Sequence, residues 1–182
     1  MDAKGAGLHW GQGYDPLGHA ESLGAEVYPS WKVAGWGDYR AGRIRYHPRL
    51  TQAEARCTVA HEVVHHEHRD DVLGYCGVGW LDGRLEHHVH AVAARRLVVV
   101  SDLAEAVRWS DHPNEIAEQL VVDTRTLYVR VLGLSLGDYR ELQVRARGSV
   151  RRSLDDVRRF AAKRLPTCCS PRRIKIKPSA HD

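Results

Sequence analysis

Thr51-Gln52-Ala53-Glu54-Ala55-Arg56-Cys57-Thr58-Val59-Ala60-His61-Glu62-Val63-Val64-His65 runs without a glycine or proline, and its reading decides the fold. Apolar or small residues at Leu50, Ala53, Cys57, Ala60 and Val64 recur at helical spacing, so the stretch predicts an amphipathic helix. Thr51 with Glu54 three residues later forms a capping box, in which each side chain satisfies the other's backbone N–H, and it marks the start. On this helix His61 and His65 are four residues apart, one above the other on a single face, so both imidazoles can reach one metal ion. Glu62 then stands beside that ion. A zinc ion held by three protein groups and one water lowers the pKa of the water toward neutrality, and an adjacent carboxylate can take its proton as it attacks a carbonyl. Glu62 is therefore the candidate general base, and His61 and His65 are candidate ligands. The bland alternative is a solvated, histidine-rich helix face.

A third ligand has to come from elsewhere. His68 shares the face of His61 but stands roughly 10 Å further along the axis at 1.5 Å per residue, too far for ligand bonds of about 2 Å. His66 points to another face, so both are read as solvated or supporting residues. Twenty-one residues past His65, Glu86 opens a second helical run, Leu85-Glu86-His87-His88-Val89-His90-Ala91-Val92-Ala93-Ala94-Arg95-Arg96-Leu97, with Val89, Val92, Ala93, Arg96 and Leu97 in one stripe. A helix packed against the first would offer Glu86 to the metal. His87 and His90, within a turn of Glu86, are its rivals. The glycine-rich stretch from Asp70 to Leu85, with Tyr75, Trp80 and Leu81, is expected to be a loop rimming the cleft, either touching substrate or folded over the core by its own tryptophan.

With these residues quoted, the chain resembles the ImmA/IrrE family of zinc-dependent metallopeptidases, especially compact actinobacterial and phage-type members. Their helix reads Arg-x-Thr/Ile-x-Ala-His-Glu-x-x-His, matched by Arg56 to His65, and their second helix reads Glu-x-x-Ala/Val-Asp/Asn-x-x-Ala-Ala-x-x-Leu, matched by Glu86 to Leu97. The resemblance covers about residues 15 to 142. It implies an α+β, zincin-like metallopeptidase core, with a small antiparallel sheet beside the metal helix and the glutamate-ligand helix, followed by a helical, helix-turn-helix-like segment. It also implies Zn2+ at His61, His65 and Glu86, catalysis by Glu62, and a protein substrate, a helix-turn-helix repressor. One departure stands out: His90 replaces the usual Asp or Asn four residues after the glutamate. An oxygen there can accept the N–H of a ligating histidine and fix its tautomer. Neutral His90 can accept through one ring nitrogen, and as a histidine it could also become a ligand itself.

Around the metal helix the signals are local. Asp15 as cap, Pro16 at the first position and Gly24 past the end predict a short helix. Ala25 to Tyr28, Gly35 to Arg40 and Arg43 to His47 read as strands, the last two joined by an Ala41-Gly42 hairpin turn. An extended peptide substrate is expected to pair with an exposed edge strand. Tyr39 and Tyr46 are the candidate donors to the oxyanion or contacts for substrate, although strand aromatics more often serve as packing.

Asn114 to Leu132 resembles a helix-turn-helix, with Ala117 and Leu127 at packing positions, Asp123 or Thr124 capping the second helix, and Val121 where the turn glycine usually stands. Only Arg125 and Arg130 are offered to phosphates or bases by the second helix. The chain of 182 residues, 43% hydrophobic, carries 27 Lys and Arg against 23 Asp and Glu. Ten of those cations fall in residues 148–182 against three Asp, so the basic character is a property of the tail. Such a tail suits nonspecific nucleic-acid contact or an acidic partner. Arg151 to Leu165 reads as a helix, and Pro166 to Pro171 breaks it. The four cysteines, Cys57, Cys76, Cys168 and Cys169, have neither zinc-ribbon nor disulfide spacing and are read as reduced, with Cys57 a small packing residue.

No apolar run is long enough for a membrane span, and the N-terminus lacks a signal-peptide core, so a cytoplasmic protein is expected. The organisation reads as a peptidase core over residues 1–110, the helical segment over 111–147 and the basic tail over 148–182. Two functions are expected: a zinc endopeptidase that, as the resemblance implies, cleaves or inactivates a repressor controlling a mobile element, prophage or stress response, or a regulatory DNA- or protein-binding module with a structural zinc site or inactive peptidase fold.

Overall fold

In a computed structural model, which describes residues 13–33, 35–69, 79–146, 155 and 157–159, the capped stretch is helix α2, Gln52–His68. Thr51 accepts from the Glu54 N–H, and Glu54 reaches back to the Thr51 N–H at 2.8 Å, so the capping box forms as read. Upstream, α1 (Pro16–Ser22) starts at Asp15, whose carboxylate accepts from the Leu17 N–H at 3.0 Å, and the chain leaves it through Gly24 at φ 76°.

Three short strands follow: β1 (Glu26–Pro29), β2 (Gly37–Arg40) and β3 (Arg43–Tyr46). Ala41 and Gly42 both take positive φ, 50° and 75°, as a two-residue turn of the I′ type requires, and β2 pairs antiparallel with β3. The expected all-antiparallel sheet is corrected here. The order is β1-β3-β2, and β1 runs parallel to β3, with Val27 opposite Ile44. The chain reverses between β1 and β2 and again at the hairpin, so β1 and β3 point the same way. The strand carrying the fully buried Ile44 takes the centre. Pro29, which has no N–H for a ladder, suits β1 to an edge.

α2 is buried nearly all round because two clusters claim it. Val59 and Val63 pack with Ala20, Ala25 and Ile44 beneath the sheet, while Cys57, Ala60 and Val64 belong to the larger helical core. The sequence periodicity captured only the second face. Between those two faces α2 carries the polar side chains of His61, Glu62 and His65, of which Glu62 and His65 are buried.

Helix α3 spans Gly79–Leu97, so the expected loop is corrected from Gly79 onward, and Glu86 lies two turns inside the helix instead of opening it. Glycine costs about 1 kcal/mol in a helix interior, which packing of Leu85, Val89, Ala93 and Leu97 against the core outweighs. The part of that loop at residues 70–78 lies outside the described residues.

The chain continues as α4 (Val100–Trp109), α5 (Pro113–Gln119), α6 (Thr124–Leu132) and α7 (Leu136–Arg145). α5 and α6 are the helix-turn-helix-like pair. Val122 N–H bonds to Ala117 O and Val121 N–H to Glu118 O, both at 3.0 Å, with Val121 left-handed at φ 51°. This is a Schellman ending in which valine sits where glycine is usual. Asp123 caps α6 by accepting from the Thr126 N–H at 2.7 Å. Leu103, Ile116, Leu127, Leu142 and Val157 join the same cluster as α2 and α3, so residues on both sides of position 110 share one core. Of the expected helix from Arg151 to Leu165, only Asp155 and Val157 to Arg159 are described, and they are helical. The basic stretch beyond, with Cys76, Cys168 and Cys169, lies outside the described residues. No helix among the described residues is long and apolar enough to cross a membrane.

Candidate metal centre

α2 and α3 pack side by side and bring three donor side chains together. His61 Nε2 stands 3.0 Å from His65 Nε2 and 3.3 Å from Glu86 Oε2, and His65 Nε2 stands 3.4 Å from Glu86 Oε1. The i, i+4 spacing on α2 supplies the two imidazoles, and the depth of Glu86 within α3 supplies the carboxylate. His65 and Glu86 are buried, and the His61 side chain is 14% exposed.

Donors sharing a tetrahedral ion with bonds of 2.0–2.1 Å stand roughly 3.3 Å apart, which the three separations approximate. Two imidazoles and one carboxylate are also the donor set of open catalytic zinc sites. The residues present therefore fit such an ion.

His61, Glu86 and His90 also offer donor atoms within 4.8 Å of one another and could hold a metal ion. His90 lies on α3 one turn beyond Glu86, its ring against that of His61 with centroids 4.2 Å apart. Its Nε2, however, accepts from Arg125 Nη2 at 2.9 Å. Burial first, then the neighbouring His61 and Arg125, pushes its pKa down to about 2, so the ring is neutral. His61 Nδ1 is buried with no hydrogen-bond partner among the described residues. The acceptor expected for it, His90, spends its accepting nitrogen on Arg125 instead. The other rival ligand, His87, is exposed.

Glu62 is buried beside the triangle, and burial raises its carboxyl pKa above the usual range against the opposing pull of His61 and His65. Gly37 of β2 abuts it. A Cβ built at Gly37 would collide with Thr58 Cγ2, stand 2.8 Å from Arg45 O and lie 3.5 Å from Glu62 Oε1. Only glycine lets this outer strand lie so close to α2. Beside it, Arg45 grips Asp38 with two bonds of 2.6 and 2.7 Å across the β2–β3 pair.

The two candidate tyrosines sit on the sheet. Tyr39 O–H meets His66 Nδ1 at 2.9 Å, and both Tyr39 and Tyr46 pack against the smaller core cluster. Burial raises the Tyr46 phenol pKa. His66 also reaches Leu23 O at 3.3 Å, and exposed His68 stacks on His88 with centroids 5.7 Å apart.

Arg125 and Arg130, offered by the sequence to nucleic acid, both make hydrogen bonds within the protein, the half-buried Arg125 to His90. Arg130 is 4% exposed, donating to Val98 O at 2.8 Å and to Asp138 at 3.0 Å. Three residues escaped the sequence reading as parts of the site's support: Gly37, Arg56 and Arg125. Arg56 donates to Leu120 O, Val121 O and Tyr14 O, tying the α5–α6 turn to α2. Its place in an apolar helix with no acid three or four residues away was the available signal. Compared with family models, curated proteins and solved structures, the chain has no match in any of the three.

Proposed function

We propose that the chain is a zinc-dependent endopeptidase of the ImmA/IrrE kind, which cleaves or inactivates a transcriptional repressor and so controls a mobile element, a prophage or a stress response. The observation that carries the reading is the triangle of His61 Nε2, His65 Nε2 and a Glu86 carboxylate, with edges of 3.0, 3.3 and 3.4 Å. A zinc ion held there would activate water as a nucleophile at neutral pH and polarise the scissile carbonyl.

Glu62 provides the proton chemistry. Burial raises its carboxyl pKa, which favours uptake of a proton by this group. It takes the proton of the attacking water and hands it to the leaving amide nitrogen. β2 is an outer strand of the sheet, and Gly37 sets it against Glu62, so an extended peptide pairing with β2 would run beside the base. The internal bonds of Arg125 and Arg130 count against DNA contact through the second helix of the helix-turn-helix-like pair, which offered only those two side chains.

The test is zinc content followed by cleavage. Wild type should hold about one zinc per chain, and Glu86→Ala should hold less. Glu62→Gln should keep its zinc and lose cleavage of a helix-turn-helix repressor encoded beside the chain. No zinc in reconstituted wild type, or full cleavage by Glu62→Gln, would refute the proposal.

A further inference from the structure

Arg125 on α6 and His90 on α3 are 35 positions apart, yet the guanidinium donates to His90 Nε2 at 2.9 Å. A guanidinium carries only N–H donors, so Nε2 is the accepting nitrogen, and neutral His90 must hold its proton on Nδ1. His90 stands within 4.8 Å of the donor atoms of His61 and Glu86, close enough to be drawn onto a shared ion. A neutral imidazole has one lone pair for a metal. Here Arg125 occupies it, and the other nitrogen is protonated.

The difference matters because three protein ligands leave a catalytic zinc one open position, whereas four close the site into a structural one. His61, His65 and Glu86 already supply three. The geometry points to Arg125 as a positioning residue that withholds His90 from the metal, so that the ligand set stays at three and one coordination position stays open. This inference rests on the metal reading above. It assigns the helix-turn-helix-like segment a task at the metal site, since α6 supplies the guanidinium.

The experiment uses the full chain and zinc alone. In metal-free wild type, the imidazole 15N shifts of His90 should report the Nδ1–H tautomer. Zinc affinity is then measured by chelator competition for wild type, Arg125→Ala, His90→Ala and the double variant. Arg125→Ala should bind zinc about tenfold more tightly or better, the scale of outer-shell effects on metal sites. Removing a nearby cation strengthens binding by itself, and that part persists in the double variant. The His90-dependent part should vanish there. Arg125→Lys, which keeps the charge and one donor, should behave close to wild type and guards against misfolding of the alanine variant.

An Nε2–H tautomer in wild type would overturn the inference, as would an affinity gain of equal size with and without His90. Zinc lost from His90→Ala alone would also overturn it, by making His90 a ligand. No zinc uptake by any variant would instead overturn the metal reading on which it rests, a result distinguishable because the tautomer is measured without metal.

Discussion

Arg56→Met should unfold this protein far more readily than any surface change. Arg56 is 2% exposed, and its guanidinium donates to Leu120 O, Val121 O and Tyr14 O, each at 3.0 Å. The first two carbonyls end α5, where the left-handed Val121 turns the chain toward α6. Methionine fills similar volume but donates nothing, leaving these carbonyls without their donor. Each hydrogen bond from a charged group contributes roughly 1.5 kcal/mol or more, so three suggest about 4–5 kcal/mol. Part is regained, because burial already works against the cation, and Nε is buried without a partner among the described residues. A net loss of about 3 kcal/mol remains, a large share of the roughly 5–15 kcal/mol that stabilises a domain. Urea unfolding of the metal-free protein, followed by far-ultraviolet circular dichroism, measures it. Arg56→Lys should recover part of the loss through its single ammonium. A change below about 1 kcal/mol in Arg56→Met would refute the claim that this residue docks the α5–α6 turn onto α2.

Other substitutions test the surroundings of the site. Gly37→Ala should cost about 1–3 kcal/mol, because the new methyl meets Thr58 and the Arg45 carbonyl; an unchanged thermal midpoint would show that β2 can shift freely. In the metal-free protein, Glu62→Gln should raise stability at pH 7. The folded pKa of Glu62 lies above the ordinary value of 4.5, so its contribution is full below that value and is lost as pH rises through the folded pKa. The advantage of the glutamine variant should therefore shrink as pH falls toward 4.5, and a constant difference across the range would contradict the burial of a carboxylate there. Cys57, whose thiol burial pushes far above its usual range, should resist iodoacetamide in the native protein and react once unfolded, as mass spectrometry of digests would record; native labelling at Cys57 would refute its burial.

What was legible in the sequence was what neighbours in sequence decide. The Thr51–Glu54 capping box, the Asp15 and Asp123 caps and the Ala41-Gly42 turn each involve residues no more than four apart, and each forms as read. The convergence of His61 and His65 is of the same kind, since helix geometry alone stacks them. Partial successes came where packing extended a local pattern: α3 begins at Gly79, and its glycines are overridden by apolar contacts that no local rule weighs.

Local patterns in the chain alone determined a capped helix with two imidazoles stacked on one face, Glu62 beside them, and short strands preceding it. Tertiary structure decided the rest. It set Glu86 two turns inside α3, 3.3 and 3.4 Å from those imidazoles, and placed β3 between β1 and β2. It also spent Arg125, 35 residues away, on the lone pair of His90. The physical reason is the range of the forces concerned. Caps and turns close hydrogen bonds within a few residues and so are written locally, whereas the partner of a buried lone pair or the neighbour of a strand depends on which distant surfaces the apolar core draws together.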